Sequence, residues 1–125
     1  MGELRSKDKN IVKDKTMAFA IRIVNLYHYL KNEKSEYVIS NQLLRSGTSI
    51  GANYRESQNA SSKKDFISKI NIALKEANAS EYWLELLYKT EYVSQTQYIS
   101  ISSDCDEIVR LLSAILKTSK LGDQK

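Results

Sequence analysis

A chain of 125 residues is long enough for one domain around one hydrophobic core. Its 42% hydrophobic and 27% charged residues argue against a disordered segment, and no apolar run approaches the ~18 residues of a transmembrane helix. The formal charge of +4 is unevenly laid out: residues 1–75 hold 14 Lys/Arg against 7 Asp/Glu, and residues 76–125 hold 5 against 8. A basic front half permits a face that meets phosphate, because clustered cations raise local affinity for polyanions. The same charges equally suit an ordinary solvated surface.

There is no proline, and the four glycines stand at 2, 47, 51 and 122, so little interrupts long helices. The basic opening MGELRSKDKN is not followed by an apolar run, and no signal peptide is expected. A single cysteine, Cys105, cannot form an intrachain disulfide, so the expected compartment is the cytoplasm.

A first helix is predicted from about Ile11 to Lys31, where Phe19, Ile23, Leu26 and Leu30 form an apolar seam widened by Ile21, Val24 and Tyr27. After the polar link Asn32–Ser35, a second helix is predicted from Glu36 to Asn59 with Ser35 as its N-cap. Ser62 followed by Asp65 resembles a capping box and starts a third helix at Lys63, running to about Tyr92. Its seam is Phe66, Ile70, Ala73, Ala77, Ser80, Leu84 and Leu87. Ser94 caps a fourth helix from Gln95 to Ser119 along Ile101, Cys105, Ile108, Leu112 and Ile115, with a weak point at Ser100–Ser103. Four amphipathic segments with short polar links imply an all-α, antiparallel up-down-up-down four-helix bundle. It forms a single domain over residues 1–125, with 1–10 and 120–125 expected to fray.

The second helix is the unusual one. Over QLLRSGTSIGANYRE one stripe reads Gln42, Arg45, Ser49, Ala52, Glu56 and the next reads Ile39, Leu43, Ser46, Ile50, Asn53, where an ordinary core helix would carry aliphatic residues. Two glycines in mid-helix, each costing roughly 1 kcal/mol against alanine, need a reason. A tight helix crossing, within the bundle or between subunits, is the first reading; a ligand against bare backbone is the rival. Arg45, Ser46, Ser49, Asn53 and Glu56, completed by Glu76 from the third helix, are read as a buried polar network that fixes register and assembly rather than as a reaction centre.

No catalytic constellation is visible. His28 is the only histidine, Cys105 lies on an apolar seam, and neither metal-ligand spacing nor a phosphate-binding glycine loop occurs. No cofactor, no metal and no enzymatic activity are therefore expected. Eight tyrosines exceed what one thin bundle can bury and point to a self-association surface, with base stacking as the rival use. Lys7, Lys9, Lys13, Lys15, Lys63 and Lys64 are the candidate phosphate contacts.

The run QLLRSGTSIGANYRE, with DFISKINIALKEA and YWLELL after it, resembles the bacterial four-helix bundle proteins encoded in intervening sequences of 23S ribosomal RNA genes, over about residues 16–118. Ser57 and Ala79 depart from that pattern, where a glycine and an acidic residue are usual. The resemblance implies a left-handed bundle assembling into a ring, commonly a homopentamer. In a related branch, the accessory proteins of diversity-generating retroelements, a basic barrel binds nucleic acid and a reverse transcriptase. Two functions follow as expectations: an oligomer binding RNA or DNA through a basic face, or a ring-shaped scaffold for a protein partner with no direct nucleic-acid role.

Overall fold

The computed structural model describes the backbone of residues 6–123 and the side chains of residues 11–121. Four helices account for nearly all of it: α1 (Ser6–Glu33), α2 (Val38–Gln58), α3 (Lys63–Lys89) and α4 (Gln95–Asp123). No strand occurs among the described residues. α2 packs against α1 and α3, and α4 packs against α3 and more sparsely against α1. The backbones of the diagonal pairs α1–α3 and α2–α4 do not approach one another closely, so the helices form a square around one core.

The third and fourth seams are buried as their spacing predicts. Phe66, Ile70, Ala73, Ala77, Ser80, Leu84 and Leu87 line the inner face of α3. Ile101, Cys105, Ile108, Leu112 and Ile115 do so on α4. In α1, Phe19, Ile23 and Leu30 are buried, and Val12 and Thr16 carry the seam one turn further toward the N-terminus. Ile21 and Val24 do not widen it. They lie about 200° and 140° around the helix from Phe19, and they are 54% and 37% exposed.

The helix ends differ instructively from expectation. Ser62 does cap α3, accepting from the Asp65 amide at 3.0 Å, and the Asp65 carboxylate accepts in return from the Ser61 amide at 3.2 Å. Ser94 caps α4 in a complete box: its hydroxyl accepts from the Gln97 amide, and Gln97 Oε1 accepts from the Ser94 amide. Ser35, however, caps nothing. It adopts a left-handed conformation (φ 53°) that terminates α1, and the next amide, Glu36, donates back to the Leu30 carbonyl at 2.9 Å. The buried Glu36 carboxylate caps α2 instead, accepting from the amides of Val38, Ile39 and Ser40 at 3.0, 2.7 and 2.8 Å. α3 stops at Lys89 rather than Tyr92 because Glu91 is also left-handed (φ 68°), which turns the Tyr92 amide onto the Leu87 carbonyl. α4 passes Ser100–Ser103 unbroken, held there by buried Ile101 and by Arg22, which donates to the Ser100 carbonyl and hydroxyl.

Candidate functional site

The inner face of α2 is Leu43, Ser46, Gly47, Ile50, Tyr54 and Ser57, with Ser40 at its start. Tyr54, 1% exposed, is the large side chain that the stripe reading did not place inside. Its neighbours are small because α1 comes close. A Cβ added at Gly47 would lie 2.8 Å from Ile23 Cγ1 and 3.0 Å from Cγ2, and one at Gly51 would lie 3.2 Å from Thr16 Oγ1. The two glycines thus serve a tight α1–α2 crossing inside the chain.

The six residues expected in one polar network separate into distinct groups. Arg45 forks onto Glu76, Nη1 to Oε2 at 2.7 Å and Nη2 to Oε1 at 3.4 Å, on the outer surface of the α2–α3 seam. The Arg45 side chain is 59% exposed and that of Glu76 17%, so the pair lies at the surface with its carboxylate partly sheltered, and it is not part of a buried network. Ser49 donates to the Arg45 carbonyl and Asn53 to the Ser49 carbonyl, which are bonds within α2 rather than across the bundle. Glu56 is exposed. Only Ser46 is buried, and its cross-helix partner is Ser80, whose hydroxyl donates to Ser46 Oγ at 2.9 Å. The stripe holding Arg45, Ser49 and Glu56 is the outward one; Ser46 sits one residue, about 100°, around from Arg45.

Ser80 has one proton to divide between Ser46 Oγ and the Glu76 carbonyl, while Ser46 donates to the Leu43 carbonyl. Replacing Ser80 by alanine removes that donor and is expected to cost about 1 kcal/mol. The double variant Ser46→Ala/Ser80→Ala should cost less than the two single changes together, because the one hydroxyl–hydroxyl bond that each single change removes is then lost only once. Urea unfolding of the three variants checks this; strict additivity would remove the coupling.

The candidate cations also separate. Lys13 and Lys64 are exposed, and Lys63 is half-buried. Lys15 is bound to Glu107 at 2.8 Å. Lys7 and Lys9 lie outside the described side chains. The acidic residues of α4 are largely matched, since Arg22 holds Asp104 at 2.6 Å and Arg110 holds Asp106 at 2.8 Å. Arg55, Lys117 and Lys120 are exposed as well, and the sequence reading did not single them out. Their positions in or near the last turns of α2 and α4 were the available signal.

Between α3 and α4 lies a groove of about 610 Å³ lined by Glu81, Tyr82, Glu85, Tyr98, Ile99 and Asp106, among others. Glu81 Oε1 is shut off from solvent with no hydrogen-bond partner, and burial, then the charge of Asp106, raises its carboxyl pKa. Behind it, Cys105 donates to the Ala77 carbonyl at 3.4 Å. Burial first, then Glu81, Asp106 and Asp104, push the Cys105 thiol up to about 12, so it is a protonated core group at neutral pH. Among the described residues, no group of three or more His, Cys, Asp or Glu could hold a metal ion. No helix among them is long and apolar enough to cross a membrane.

These features define an all-α four-helix protein with a tight small-residue seam. The chain belongs to the 23S rRNA-intervening sequence protein family, whose model matches residues 8–114. A solved relative is a protein of unknown function from the S23 ribosomal protein family of Bacteroides thetaiotaomicron. It is 61% identical, with 88% of this chain and 98% of that chain covered and a TM-score of 0.87. No curated protein matches.

Proposed function

We propose that this chain is a non-enzymatic, cytoplasmic bundle that assembles with copies of itself, as a homopentamer, and meets RNA or DNA through one basic end. The underlying arrangement is an antiparallel up-down-up-down bundle, with the left hand that the family resemblance implies. Register supports the antiparallel order. Along α1–α2, Gly47 faces Ile23 and Gly51 faces Thr16. Along α3–α4, Ala77 meets Cys105 and Tyr88 stacks on Tyr98. Along α1–α4, Lys15 meets Glu107 and Arg22 meets Asp104. In each pair one number rises as the other falls.

The observation that carries the nucleic-acid reading follows from this order. Exposed Lys13, Arg55, Lys64, Lys117 and Lys120 gather where α1 and α3 begin and α2 and α4 finish. Exposed Asp14 and Glu56 oppose them only in part. A ring of such ends would give a repeated cationic surface, suited to phosphate backbone rather than to base sequence.

The test is binding of a labelled structured RNA across a salt series, with assembly mass measured in the same buffers. Lys64→Glu/Lys117→Glu is expected to keep the assembly, weaken binding at least ~10-fold at low salt and flatten the salt dependence. An intact wild-type oligomer that binds neither RNA nor duplex DNA at low salt would leave the second reading, a scaffold for a protein partner such as a reverse transcriptase. That reading is favoured by the exposed Tyr37, 51% accessible.

A further inference from the structure

We propose that copies of this chain join head to tail, with the outer ridge of α1 in one copy seated in the α3–α4 groove of the next. This rests on the self-assembly reading above and adds the two surfaces that make the contact.

The ridge is Met17, Ile21 and Val24, 45%, 54% and 37% exposed. Their i, i+4, i+7 spacing puts them on one line, on the side of α1 away from buried Thr16, Phe19 and Ile23. A lone exposed aliphatic residue is ordinary, but three on successive turns make a continuous strip that water covers poorly. The groove offers a matching concavity, with Tyr82 and Ile99, 59% and 56% exposed, as its apolar part.

Charge agrees with shape. Glu81, Glu85 and Asp106 line the groove with no lysine or arginine among the lining residues; Asp106 is already paired with Arg110, so Glu81 and Glu85 are the acids left to meet a cation. The outer side of α1 carries exposed Lys13, His28 and Lys31, with Asp14 as the acid among them. An acidic groove repels nucleic acid, which leaves the basic end of the bundle free for it.

A ridge-on-ridge dimer would cover the aliphatic strip but leave the groove open. The ridge-in-groove contact uses both surfaces. The ridge lies on α1 and the groove on α3 and α4, so the two surfaces belong to separate parts of the chain, and one copy can engage two neighbours. Repetition of such a head-to-tail contact gives a ring when its rotation closes and an open filament when it does not.

Cysteine cross-linking of the full chain tests this, with Ile21→Cys and Tyr82→Cys singly and together and a short bis-maleimide as the linker. Cys105 is buried with its thiol pushed up to about 12, so it stays silent. The double variant is expected to give a covalent ladder ending at the mass of the native assembly, and the single variants none. Both positions are exposed, so folding should be preserved, which circular dichroism checks. Ile21→Asp should weaken assembly at least tenfold with helix content unchanged. An assembly of wild-type mass that does not cross-link in the double variant would overturn the ridge-and-groove contact alone. So would a dimer band from Ile21→Cys by itself. A monomeric wild type would overturn this contact and the self-assembly reading together.

Discussion

Gly47→Leu is expected to be the most damaging single change in the chain, destabilising it by more than ~3 kcal/mol or preventing cooperative folding. The first added carbon already falls 2.8 Å from Ile23 Cγ1. That atom belongs to a β-branched, fully buried side chain whose own Cβ is 3.3 Å from the same point, so a rotamer change cannot clear the space. The further carbons of leucine would have to part α1 from α2. Gly47→Ala is milder. Overpacking of ~1–3 kcal/mol is offset by ~1 kcal/mol of helix propensity, for a net loss of about 1 kcal/mol. The diagnostic experiment is a double-mutant cycle by urea unfolding. Ile23→Ala alone should cost ~2–5 kcal/mol through its cavity. With Gly47→Ala present it should cost less, because the new methyl group occupies part of that space. Additive values would mean that the two residues do not meet.

The bundle was legible because three of its helices follow simple spacing. The α3 seam from Phe66 to Leu87 repeats at four and three residues, and every member is buried. α2 resisted the same reading because its contact with α1 is made through the absence of side chains. Gly47 scores as nothing on a hydrophobic stripe, and the polar stripe through Arg45 and Glu56 attracted attention although it faces outward. Ser80 stood on the predicted seam, yet its role as the partner of Ser46 could not be read from one chain position at a time. Pairing across helices requires the rotation of both, and spacing supplies each rotation only to within a residue.

Charge was legible as a total and misleading as a linear map. The division into a basic front and an acidic back suggested two faces. In the folded chain Lys15 and Arg22 cross to Glu107 and Asp104, so part of each half cancels the other. What stays exposed gathers from both halves, with Lys117 and Lys120 coming from the nominally acidic one. Likewise Ile21 and Val24, read as core from their hydrophobicity, are the ridge. The α1 wheel has more aliphatic positions than the core has room for, and the surplus faces outward.

Glu36→Ala is expected to destabilise the protein by about 3 kcal/mol, far more than an ordinary helix-cap substitution of ~1 kcal/mol. The usual cap satisfies one amide with a neutral hydroxyl. Glu36 satisfies three with a carboxylate that is itself part of a residue only 6% exposed, so water cannot readily replace it. A negative charge at this position also complements the positive end of the α2 dipole. Ser35, left-handed and already used to end α1, is not available to take over. Glu36→Gln keeps one acceptor oxygen without the charge and should fall between alanine and wild type. Glu33→Ala, at an exposed neighbouring position, should change little. Hydrogen exchange gives the local readout: the amides of Val38, Ile39 and Ser40 should lose protection first in Glu36→Ala, ahead of the α3 core. Wild-type melting together with unchanged protection of those three amides would show that the carboxylate does not hold the start of α2.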